Sequence, residues 1–174
     1  MRIGIVGSEG KYWTPGQRTK VIERIFHIFN RYADCPVERR FDYKKVTLVS
    51  GGCGARGEDS SQEFDGGVDV WAEIVADVLG VEKDIKYAAS MRWNDLKTGN
   101  PTYLEKTLKG FKTRNLEIAR TCDALYCLEP KLSKGEPKTL WSEEYQCHYR
   151  RSGGCWTMEQ AERLGKKVHL EVIK

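Results

Sequence analysis

The chain has 174 residues, of which 40% are hydrophobic and 31% charged, with a net charge of +4. This is the balance of a globular protein with enough chain to bury a core. The basic excess is weaker than a dedicated nucleic-acid domain carries, so nucleic acid is not an expected partner. No apolar run approaches the roughly 20 residues of a membrane span, so no membrane is expected either.

Arg2 to Val6 is short, apolar and β-rich, as a buried first strand would be, and Gly7-Ser8-Glu9-Gly10 stops it. The opening run is too short for a secretory signal, so the cytoplasm is the expected location, with the six cysteines as reduced thiols. After Pro15-Gly16, Val21, Ile22, Ile25, Phe26 and Phe29 recur at helical spacing, with Lys20, Glu23, Arg24 and Asn30 toward water. Val46 to Val49 reads as a second strand ended by Ser50-Gly51-Gly52-Cys53-Gly54, and a polar loop runs on to Gly67. Val68, Trp71, Ile74, Val75, Val78 and Leu79 predict a second helix stopped by Gly80.

Ile85 to Ala89 is a third strand candidate, and Asn94 to Pro101 reads as loop. Thr113 to Arg120 predicts a helix leading into a fourth strand, Ala124 to Leu128. Residues 129–151 are charged and lack an apolar period, so they read as a loop insertion. Thr157 to Leu164 is a helix, and Lys167 to Ile173 alternates as a last strand. Strands alternating with helices predict one α/β domain over residues 1–174. Its architecture is a Rossmann-like three-layer sandwich, with about five mostly parallel strands and helices on both faces.

Right-handed crossovers bring the carboxyl ends of parallel strands to one edge, where open α/β sheets bind ligands. Three glycine-bearing turns belong there: Gly7-Ser8-Glu9-Gly10, Gly51-Gly52-Cys53-Gly54 and Ser152-Gly153-Gly154-Cys155-Trp156-Thr157. Glycine lets a phosphate approach backbone N–H groups, and a helix N-terminus adds partial positive charge. None of the three is a G-x-G-x-x-G fingerprint or a Walker A loop, which disfavours ordinary NAD enzymes and ATPases.

The segment Arg114-Asn115-Leu116-Glu117-Ile118, then Asp123-Ala124, then Gly153-Gly154-Cys155-Trp156-Thr157 resembles the LOG phosphoribohydrolases and the wider SLOG superfamily. In that pattern Ile118 stands for the family's Met, Ser152 for its Pro, Trp156 for a Gly, and Gln160 for its Glu, with Glu159 one position earlier. Gly7-Ser8 resembles the family's first phosphate turn, and Ser50-Gly51-Gly52 its second. The resemblance implies a nucleotide or phosphate ligand held by Gly7, Ser8, Gly51, Gly52, Arg114, Asn115, Gly153, Gly154 and Thr157, no cofactor, and a homo-oligomer, commonly a dimer.

It implies also an alternative activity, cleavage of the N-glycosidic bond of a nucleoside monophosphate, with Arg114 and Glu159 as catalytic candidates. Gln160 cannot ionise, and one residue on a helix turns a side chain by about 100°, so Glu159 does not simply replace the missing Glu. Glu9 or Asp69 would be compensating acids, although Asp69 near a helix start equally serves the dipole.

Arg114 in the first turn of a helix opposes the dipole, a local conflict that favours a ligand role; its planar fork suits a phosphate. No metal site is expected. Cys147, His148 and Cys155, with Cys127, are the candidates, but adjacent Cys-His is a poor chelate and no second close pair occurs. Trp71 reads as core, whereas Trp156 suits packing or base stacking equally. The basic pairs Arg39-Arg40, Lys44-Lys45 and Arg150-Arg151 are dispersed and lack a stacking platform.

Overall fold

The structure is a computed structural model, which describes residues 1–34, 41–51, 66–86, 110–132, 136 and 139–174. Strand β1 (Arg2–Gly7) is followed by a 3-10 turn at Gly10–Tyr12 and helix α1 (Pro15–Tyr32). Thr14 and Gln17 form a capping box that starts α1, with proline at its first position. Then come β2 (Thr47–Ser50), α2 (Val68–Leu79) and β3 (Glu82–Ile85). The second half holds α3 (Phe111–Thr121), β4 (Ala124–Leu132), β5 (Thr139–Ser142), β6 (Cys147–Arg150), α4 (Gly153–Arg163) and β7 (Lys167–Ile173).

Five strands pair in parallel in the order β3-β2-β1-β4-β7. The expected Rossmann-like α/β architecture is therefore present. Alternation along the central strands feeds two cores. Ile3 and Ile5, Leu48, and Ala124, Tyr126 and Leu128 face α1 and α2. Val6, Val49, and Leu125 and Cys127 face α3 and α4.

Two elements depart from the sequence reading. The third strand lies at Glu82–Ile85 and shares only Ile85 with the expected segment, its charged Glu82, Lys83 and Asp84 hiding it from the sequence reading; residues 87–89 lie outside the described residues. The segment 129–151 is not simply loop. Strand β4 runs on to Leu132, and β5 and β6 form an antiparallel hairpin that pairs back onto it at Lys131–Tyr149 and Leu132–His148. Gln146 takes the left-handed conformation (φ 49°) in the hairpin turn. On α2, Trp71 and Val75 are buried, but Val78 is 70% exposed, so the apolar face is narrower than its sequence suggests.

Candidate functional site

The described members of the three glycine turns meet around the ends of β1 and β2. A Cβ on Gly154 would come within 2.8 Å of the Cα and N of Gly7, so the first turn of α4 packs directly on the backbone at the end of β1. A Cβ on Gly51 would lie 2.7 Å from the Arg114 guanidinium carbon and 2.8 Å from the Asp69 carboxylate. Both sites need the absence of a side chain for close approach, not an unusual backbone angle. Gly52 lies outside the described residues.

Arg114, in the first turn of α3, is buried at 6% exposure. Its Nη1 donates to the Gly51 carbonyl at 3.0 Å, and its Nε and Nη2 donate to Asn115 Oδ1 at 2.9 and 2.7 Å. The Phe111 ring lies 5.0 Å from the guanidinium carbon, and the Asp69 carboxylate 4.0 Å from Nη2. Burial pushes Asp69 up to about 6, even though Arg114 pulls it down. Desolvation outweighs the ion pair because the carboxylate is buried and the Glu73 carboxylate beside it adds to the rise, although its place in the N-terminal turn of α2 favours the charged form.

Asn115 donates from Nδ2 to the Gly153 carbonyl at 3.2 Å, and buried Thr157 donates its hydroxyl to the same carbonyl at 2.9 Å. Asn115 therefore ties α3 to the start of α4, while Thr157 bonds back one turn within α4. Ser152 caps α4: its Oγ accepts from the N–H of Gly154 at 2.9 Å and of Cys155 at 3.4 Å.

Sequence reasoning missed Glu129. It is fully buried at the end of β4, where Ser8 Oγ donates to Oε2 at 2.5 Å and Ser152 Oγ donates to Oε1. The thiols of Cys127 and Cys155 lie 3.5 and 3.6 Å from Oε1. Burial drives the Glu129 carboxyl well above the usual carboxylate range. The hydrogen bond between the two thiols pushes Cys127 up and brings Cys155 down to about 7. Two-residue alternation after Cys127 was the available signal, since it places Glu129 on the same strand face.

The structure brings Gly7, Ser8, Gly51, Asp69, Arg114, Asn115, Gly153, Gly154 and Thr157 into one region. Glu159 lies outside that buried network, 4.0 Å from Arg151 with both side chains exposed by more than a third. Of the metal candidates, Cys155 meets Cys127 and Glu129, whereas His148 stacks edgewise on Trp141 and its buried Nδ1 has no hydrogen-bond partner among the described residues. At the rim, the Arg150 guanidinium carbon lies 3.2 Å from the Tyr12 ring centroid, and Lys112 Nζ lies 5.9 Å from that of Trp156.

Among solved structures the chain is similar to DNA processing protein A (DprA) from Streptococcus pneumoniae, at 16% identity and a TM-score of 0.50. The match covers 97% of this chain and 49% of that one, so the chain spans about half the length of its structural neighbour. The likeness is one of fold alone, a Rossmann-like α/β architecture. No protein-family model matches the chain, and no curated protein matches it. The expectation against nucleic acid gains no support from a neighbour so titled. No helix among the described residues is long and apolar enough to cross a membrane.

Proposed function

We propose that the chain binds a nucleotide or a nucleotide-derived ligand, with its phosphate over the turns at Gly7-Ser8, Gly51 and Gly153-Gly154. The observation that carries this reading is a buried guanidinium at the seam of those turns. Arg114 is held by Gly51 and Asn115, beneath backbone that lacks Cβ atoms. A fixed, desolvated cation there attracts an anion without reorganising on binding. The resembled pattern's Arg114, Gly153, Gly154 and Thr157 are present, with Ser152 and Trp156 as departures in the same turn, while Gln160 stands at the Glu of the reactive position.

Isothermal titration against nucleoside mono-, di- and triphosphates, inorganic phosphate and a short single-stranded DNA tests the proposal. A nucleoside phosphate should bind, and Arg114→Lys should weaken it about tenfold or more while keeping the charge, because lysine lacks the fork. If no nucleoside phosphate binds, or Arg114→Lys binds as well as the parent, the proposal fails. Preference for the DNA arm would instead favour the rim pairs Tyr12–Arg150 and Trp156–Lys112 as a stacking surface.

A second reading, hydrolysis of the N-glycosidic bond, is favoured by one observation: Asp69 near 6 beside Arg114. A carboxyl that titrates near neutrality suits general acid–base work better than exposed Glu159 does. Chromatography of released base decides it, with Asp69→Asn abolishing release and Glu159→Gln leaving it intact.

A further inference from the structure

Strand β4 and the first turn of α4 build a second polar centre, which adjoins the proposed phosphate site through Ser8. Cys127 and Glu129 project from the same face of β4, and Cys155 comes down on them from α4. All three residues are buried, with exposures of 0%, 0% and 1%. Their donor atoms lie within 4.8 Å of one another, and the two sulfur-to-oxygen edges measure 3.5 and 3.6 Å.

A zinc tetrahedron has bonds of about 2.3 Å to sulfur and about 2.0–2.2 Å to oxygen, so its sulfur–oxygen edge is about 3.6 Å and its sulfur–sulfur edge about 3.8 Å. The side chains already stand at the first spacing, and the limit on the second accommodates it. Two thiols and a carboxylate are a donor set for a borderline-soft divalent ion, and a poor one for magnesium or calcium. Glu129 makes no ion pair among the described residues; it is met by hydroxyls and thiols.

We propose that Cys127, Glu129 and Cys155 form a binding site for a thiophilic divalent cation of the zinc class. The cation binds two thiolates and one carboxylate, and the protons these three groups carry leave to solvent. The fourth position falls to water or to a hydroxyl of Ser8 or Ser152, both already hydrogen-bonded to Glu129. This set keeps Cys127 and Cys155 of the sequence candidates and puts Glu129 in place of Cys147 and His148. It depends on strand alternation and on where α4 starts, which spacing along the chain does not reveal.

The test uses the full chain, purified without a metal-affinity step and stripped of metal under reducing conditions. Co²⁺ and then Zn²⁺ are titrated in. The expected result is one equivalent bound, with the intense visible bands of tetrahedral Co²⁺ and a thiolate charge-transfer band, both bleached by Zn²⁺. Cys155→Ser should weaken uptake roughly 100-fold, whereas Cys122→Ser, a buried cysteine outside the cluster, should not change it.

Should Cys155→Ser fail to fold, the spectrum of the unaltered chain still decides. Absence of uptake at tens of micromolar, a six-coordinate Co²⁺ spectrum without thiolate bands, or equal uptake by Cys155→Ser overturns the site. Nucleotide titration of the metal-free chain reads the phosphate proposal separately, so the two fail independently.

Discussion

Gly51→Ala tests the seam between the second glycine turn and the buried guanidinium. The added methyl would lie 2.7 and 2.8 Å from the carbon and Nη1 of Arg114, and 2.8 Å from an Asp69 oxygen. Ordinary van der Waals contact begins near 3.4 Å, so the guanidinium must withdraw by about 0.7 Å. That shift lengthens the 3.0 Å hydrogen bond from Nη1 to the Gly51 carbonyl beyond useful range.

Losing one hydrogen bond to a charged group costs about 1.5–3 kcal/mol. For a chain of this size that lowers the melting temperature by roughly 3–12 °C. Because the moved group is the proposed phosphate anchor, nucleotide affinity should fall at least about tenfold, which is 1.4 kcal/mol. Differential scanning fluorimetry and isothermal titration on the same preparation measure both. A variant that melts within a degree of the parent and binds nucleotide equally well would refute the packing and the role together.

Three further outcomes follow from the same geometry. Asp69 is raised from 3.8 to about 6, so the folded state holds its proton more tightly than the unfolded chain. The stability this gives is fully present below about pH 4 and is lost as pH rises through 6, by roughly 3 kcal/mol. Asp69→Asn should therefore match the parent at pH 4 and exceed it at pH 8 in urea titrations, and an equal difference at both pH values would contradict this. Ser152→Ala removes the cap of α4 and one donor to Glu129. A loss of about 1–2 kcal/mol is expected, read as a shift in denaturation midpoint. Gly16→Ala meets no atom within 4 Å in the first turn of α1, so it should raise stability by about 0.5–1 kcal/mol; a lower melting temperature would show that the turn is not helical.

Much of this fold is legible in the residues. The periodicity of Val68–Leu79 and the β-rich run Lys167–Ile173 coincide with α2, which packs its apolar face on the sheet, and with β7, which pairs along β4. The run beginning at Ala124 is equally plain, but Glu129 and Pro130 disguise its continuation. Proline lacks a donor and glutamate is rarely buried, yet both pair with β7, at Ile173 and Val172. The hairpin has a trace in Cys147-His148-Tyr149-Arg150, whose first and third residues are buried, but the charged turn at Glu143-Glu144 masks it. At the site, Arg114 and the glycines stand out by type. Glu129 does not, because only the tertiary arrangement of Ser8, Ser152 and two cysteines makes its burial tolerable.

The hairpin explains why the two polar centres differ in character. In an uninterrupted strand–turn–helix unit, the end of β4 would open directly at the ligand edge. Here β6 pairs on Lys131 and Leu132, and Cys147 and Tyr149 join the core over Cys127 and Cys155. The inserted residues thus roof one end of the edge and exclude water from Glu129, which raises the cost of a bare carboxylate there and the gain from any cation that reaches it. Arg114 and Asp69 lie where β2 ends, against the Gly51 turn rather than under this roof. Deleting the hairpin should therefore expose Glu129 and abolish cation uptake, while leaving the Arg114–Gly51 seam, and nucleotide affinity, within about threefold of the parent.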